Sequence, residues 1–227
     1  MQNMIFYKPD YIPASYFEGW DLWLWIACSV LLLFSSLLLT IKARNPQEVV
    51  SVKYISWAFA LFTLFMGINK IAFILSYFTP YYSEYLAVGY ITSLLSIMPI
   101  VFTIEKFIFT KSHYLFSIVN VGVVIIAALA FFFPAYFETI RFLVMAIGFV
   151  PTIAFLLVWI YAIRVSFGDP RKKAIITLIG MILIELGYVL DSEFLIKAEI
   201  IPFEIPPIIF IIGVILLGYI QLKSNKD

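Results

Sequence analysis

Seven apolar blocks, at roughly 20–41, 54–78, 86–109, 114–133, 138–165, 174–195 and 205–222, follow one another along this chain, with only short polar or proline-rich joints between them. Blocks of about twenty apolar residues match the ~30 Å hydrocarbon core of a bilayer when wound as helices. Lipid offers no water to the backbone, so each block must satisfy its own N–H and C=O groups, which a helix does. The sequence therefore predicts an all-α membrane protein, a seven-transmembrane-helix bundle forming one domain over residues 1–227. Composition agrees: only 13% of residues are charged, against about 25% in soluble domains. No joint is long enough for a folded soluble domain. The opening MQNMIFYKPD lacks the basic start and immediate apolar run of a cleavable signal. The first span is thus expected to be a permanent anchor closed by Lys42 and Arg44.

Orientation follows from the basic residues. Lys42, Arg44, Lys53, Lys106, Lys111, Arg164, Arg171, Lys172, Lys173, Lys223 and Lys226 fall on one side of the predicted bundle, and only Lys8, Arg141 and Lys197 on the other. Lys and Arg accumulate on the cytoplasmic side, so the N-terminus is expected outside and the C-terminus in the cytoplasm. Acidic residues lean outward, among them Asp10, Glu18, Asp21, Glu84, Asp191 and Glu204. The aromatic stretches YFEGWDLWLW and YFTPYYSEY suit the outer headgroup level. A multi-pass protein of the plasma membrane is expected, with the lipid bilayer as its first partner.

Several classes of chemistry are excluded. A net charge of +1 argues against nucleic acid as a partner. The single histidine, His113, lies in the basic joint TKSHY, so neither bis-histidine haem nor a clustered His/Asp zinc centre can be assembled in the chain. A Ser–His pair within the membrane is likewise out of reach, and no glycine-rich phosphate loop follows a strand. Cys28 has no second cysteine to pair with and is expected to pack as a small apolar residue. No cofactor, no metal and no enzymatic activity are expected. Microbial rhodopsins share the seven-helix layout but carry retinal on a lysine in the last span; here that span, IPPIIFIIGVILLGYIQ, has none.

The charge that needs an explanation is Lys70, in MGINKIAF of span two. A lysine at a helix centre costs about 2.5–3.5 kcal/mol on insertion scales. Counted from Tyr54 at 1.5 Å per residue, Lys70 lies about 24 Å in, in the outer part of the core. Span six supplies two acids: counted from Ala174, Glu185 stands at about 16 Å and Asp191 at about 25 Å. Lys70 is expected to pair across the bundle with one of them, Glu185 being the deeper and Asp191 the closer in height. Such a pair either fixes helix register or serves ligand binding, proton movement or gating. The candidate site is an outward-opening pocket between spans two, three and six, lined by Thr63, Asn69, Lys70, Tyr77, Ser96, Glu185, Tyr188 and Asp191.

Span three carries Tyr85, Gly89, Thr92, Ser96, Pro99, Thr103 and Lys106 on one helical face. Small and hydroxylated residues suit close helix contact, so a packing seam is expected there, with a polar pathway as the alternative. Glu105 and Lys106, at the inner end of that helix, are expected to anchor it at the interface. Pro99 and Pro151 lie mid-span in helices three and five and are hinge candidates, because each removes a backbone hydrogen bond. Alignment of spans 1–3 with 5–7 shows no repeat of the kind many transporters have.

The segments MGINKIAFILSYF and FTIEKFIFTKSHYLFSI resemble parts of uncharacterised seven-span proteins of archaea, and the layout resembles the seven-helix input modules of membrane histidine kinases. The resemblance implies sensing of a ligand or of membrane state by helix rearrangement. No output domain follows span seven, so the expectation is a stand-alone sensory or receptor-like module that signals through a separate cytoplasmic protein. The alternatives are a small ion- or proton-coupled transporter or channel, and a structural subunit of a membrane complex.

Overall fold

The computed structural model describes residues 20–79, 81–133, 136–191 and 201–223. Among them 88% are helical and none is in a strand, so the class is all-α. The helices are α1 (Trp20–Ala43), α2 (Val50–Phe78), α3 (Tyr82–Phe107), α4 (Leu115–Phe132), α5 (Phe137–Val165), α6 (Gly168–Leu190) and α7 (Ile205–Leu222). Five of them, α1, α2, α3, α6 and α7, are long and apolar enough to cross a membrane; shorter apolar stretches occur in α4 (Leu115–Leu129) and α5 (Leu156–Val165). Outward faces are apolar as well. On α1, Val30, Phe34, Leu37 and Ile41 are 55–60% exposed, a continuous stripe that suits lipid rather than water. The chain is a multi-pass helical membrane protein.

Each helix packs on its neighbours in sequence, and α7 returns to lie beside α1, closing the ring. Trp25 meets Phe210 near the start of both helices, and Lys42 donates to the Gln221 carbonyl near their ends at 2.5 Å, so α1 and α7 run parallel. Gln221 also donates to Thr177 of α6 at 3.0 Å. Two apolar clusters fill the interior. The larger draws Cys28, Leu32, Phe59, Phe62, Met66, Ile184, Phe210 and Val214 from α1, α2, α6 and α7. The smaller holds Ala87, Leu94, Val123, Ala127, Ile140 and Val144 from α3, α4 and α5. Helix α3 belongs to both: Ala87 and Leu94 join the smaller cluster, Ile100 and Ile104 the larger. Pro99 stands at the changeover, where a missing N–H lets a helix bend.

The polar face of α3 turns out to be a packing seam. A Cβ at Gly89 would meet the Phe73 ring at 3.1 Å, and Thr92, Ser96 and Thr103 are buried, each donating to a carbonyl of its own helix. The α6–α7 contact is tighter still. A Cβ at Gly213 would lie 2.7 Å from the Gly180 carbonyl oxygen, and one at Gly187 2.8 Å from that of Pro206. Only glycine permits this backbone approach.

Two expectations change. Helix α6 begins at Gly168, not near 174, because Asp169 and Pro170 form an ordinary first turn that carries Arg171–Lys173 within the helix. Apolarity marks the lipid-buried part of a helix, not its end. The span was also expected to reach 195, but α6 stops at Leu190 with Asp191 as its C-cap; 192–195 lie outside the described residues. Second, Glu105 is no interfacial anchor. It is 2% exposed and accepts from the backbone N–H groups of Phe116 at 3.0 Å and Ser117 at 2.8 Å, and from the Ser117 hydroxyl. Those amides open α4, whose own N-cap residue, Tyr114, is left-handed and makes no side-chain cap. The carboxylate on α3 supplies the missing acceptor. Lys106 does sit at the end of the bundle, its ammonium 4.0 Å from the Tyr54 ring.

Candidate functional site

Helix α2 buries Met66, Asn69 and Lys70 on its inward face. Lys70, 3% exposed, holds its ammonium 3.4 Å from Asp191 Oδ2. That nitrogen also lies 3.7 Å from the ring centre of Trp25, 4.7 Å from Tyr188, 5.0 Å from Phe210 and 6.0 Å from Phe73. Rings from α1, α6 and α7 thus enclose one cation that α2 brings in, and the C-cap of α6 supplies the counter-charge. A desolvated cation–π contact is worth about 2 kcal/mol or more, so two good faces plus the ion pair offset the 2.5–3.5 kcal/mol insertion cost on the same approximate scale.

The two acids expected for Lys70 separate. Asp191 takes the lysine; Glu185 is half-buried on α6 and makes no hydrogen bond or ion pair with another described residue. Tyr188 belongs to the site, its ring against Lys70 and its phenol facing the side chains of Asn69 and Ser93. Asn69 donates to the Gly89 carbonyl at 2.7 Å, tying α2 to α3, while its buried Oδ1 has no hydrogen-bond partner among the described residues. Thr63 and Ser96 are turned to their own helices: Thr63 donates to Phe59 and Ala60 carbonyls, Ser96 to that of Ser93. Tyr77 stacks edge-on with Tyr82 of α3. Pro99 lies inside α3, and α5 continues as helix through position 151.

Trp25 and Phe210 were not expected here. Trp25 falls in YFEGWDLWLW, read as an interfacial belt, yet it is 2% exposed. Its spacing with Asp21, Cys28 and Leu32, all buried, follows the 4-3-4 rhythm of one helix face and is the signal that marks it as inward. Phe210 follows the same rhythm with Pro206, Gly213 and Leu217, all buried, but α7 is apolar on its other faces too, so the sequence alone does not single that face out. No group of three or more metal-ligating side chains occurs among the described residues. Cys28 is a free, buried thiol directed at the Pro207 carbonyl, 3.7 Å away.

Fold and site together define a multi-pass helical membrane protein with a caged, charge-paired lysine in its interior. Comparison with protein-family models, with curated proteins and with solved structures finds no match.

Proposed function

We propose that the chain is a seven-span sensory or receptor-like module, N-terminus outside and C-terminus in the cytoplasm, with Lys70 and Asp191 as its sensing element. The carrying observation is that one buried ammonium gathers α1, α2, α6 and α7 at a single point. Disturbing that ion pair alters a contact point shared by four helices, and a ligand acts only through such a difference between two states. The apolar stretches of α4 and α5 and the closed ring support seven spans. The bias of Lys and Arg supports the orientation. Helix rearrangement would pass to a protein docked on the basic face.

A second reading, ion- or proton-coupled transport, is favoured by Glu185, a half-buried carboxyl on α6 that feels the Lys70 charge but makes no hydrogen bond or ion pair among the described residues. One experiment separates the two. Spin labels at Lys111→Cys and Lys172→Cys report the spacing of the α3–α4 joint and the start of α6, while a pH dye inside liposomes reports flux. Sensing predicts that Asp191→Asn alters the label spacing and that proton, sodium and potassium flux stay at the level of empty liposomes. Unchanged spacing, with flux that Glu185→Gln abolishes, would replace the sensor by a transporter.

A further inference from the structure

Resting on that reading, the geometry of the cage points to the class of ligand: we propose that the site takes a small organic ammonium group, which seats between Trp25, Tyr188 and Phe210 against Asp191 by displacing the Lys70 ammonium.

The box already holds an alkylammonium, the lysine's own. Three ring faces at 3.7–5.0 Å from one nitrogen form the kind of enclosure that recognises ammonium ions through the negative faces of the rings. The same faces repel an anion, which would also have to remove Asp191 from Lys70. Access favours the cation too. The Asp191 side chain is 21% exposed and Lys70 3%, so an incoming group reaches the carboxylate first. Asp191 caps the C-terminus of α6, its N–H bonded to the Gly187 carbonyl; a helix C-terminus carries negative partial charge and draws cations. One turn before Trp25, and on its face, α1 buries a further carboxylate, Asp21. Displacement is feasible because Lys70 lies eight residues before the end of α2 at Phe78, about 12 Å by helical rise. Its flexible stem can carry the ammonium toward the headgroup level.

An ammonium group can come from a solute or from a lipid headgroup, and the test distinguishes them. The full chain in phosphatidylglycerol nanodiscs is titrated with n-butylammonium or tetramethylammonium chloride, with sodium chloride at equal ionic strength as control, and its melting temperature is followed. Binding to the folded state raises the melting temperature saturably. In Lys70→Met the internal competitor is gone, so half-saturation should fall about tenfold or more; in Asp191→Asn the response should be lost. A response that is blunted when phosphatidylethanolamine is included assigns the headgroup as the natural occupant, and one that persists assigns a solute. Absence of a saturable rise in the wild-type protein overturns the proposal, whether or not the variants fold. A rise with sodium acetate or sulfate instead also overturns it, yet leaves a ligand-sensing module standing. Ion flux through the wild-type protein would remove that module itself.

Discussion

Lys70 and Asp191 are a matched pair in charge but not in burial, and the inequality has a measurable consequence. Removing one partner of a buried pair leaves the other uncompensated, which costs about 3–5 kcal/mol when that charge is fully buried. Asp191→Asn strands an ammonium that is 3% exposed; Lys70→Met leaves behind a carboxylate that is 21% exposed and has a further interaction. The Asp191 variant should therefore lower the melting temperature in detergent more than the Lys70 variant, and the double variant should cost less than Asp191→Asn alone. Additive losses would deny the pair any coupling. At this scale part was legible beforehand: axial height, counted at about 1.5 Å per residue from the apolar edges at Tyr54 and Ala174, set Asp191 closer to Lys70 than Glu185. From the observed helix starts at Val50 and Gly168, however, the two acids are equally distant in height. The rings were not legible, because helical period says which residues share a face but not which faces of distant helices meet. Glu105 was hidden for a similar reason. Its partners lie 11 and 12 residues on, beyond a tight joint in which His113 and Tyr114 both take positive φ.

Among elements, α6 and α7 depend most on small residues. Placing a methyl at Gly213, with the Gly180 carbonyl oxygen 2.7 Å and the Ile184 nitrogen 2.8 Å from the new Cβ, must force the two backbones apart. Both helices supply cage residues, Tyr188 and Phe210, so the effect should reach the site. Gly213→Ala is expected to destabilise by about 1–3 kcal/mol, the usual range for overpacking, and to weaken the Lys70–Asp191 coupling measured by mutant cycle. Gly122→Ala in α4 is the control: nothing lies within 4 Å of its Cβ, so helix propensity alone predicts no loss or a gain of up to about 1 kcal/mol. Helix existence and type were readable from the apolar blocks, and helix starts less so. The first turns of α6, with Asp169, Pro170 and three basic residues, are polar yet helical.

For the whole molecule, orientation is the property that the proposed function needs and that a direct experiment can settle. Cys28 is fully buried, so the native protein should be silent toward a membrane-impermeant maleimide. A cysteine placed at Lys223, the residue after α7, should label only after right-side-out vesicles are opened, and one at exposed Glu84, in the first turn of α3, should label in sealed vesicles. The reverse pattern would invert the bundle and put the mouth of the cage inside the cell.

The spacing of the cage along the chain bears on how the protein is made. Asp191 lies 121 residues after Lys70. At about 5–20 residues per second, synthesis brings it to the ribosome on the order of ten seconds after the lysine. Through that interval the translocon must release, or retain, a span whose ammonium has no counter-ion yet. Trp25, 3.7 Å from it in the finished structure, is already made. The α1–α2 hairpin could thus shelter its own charge until α6 arrives, the tryptophan standing in for the aspartate.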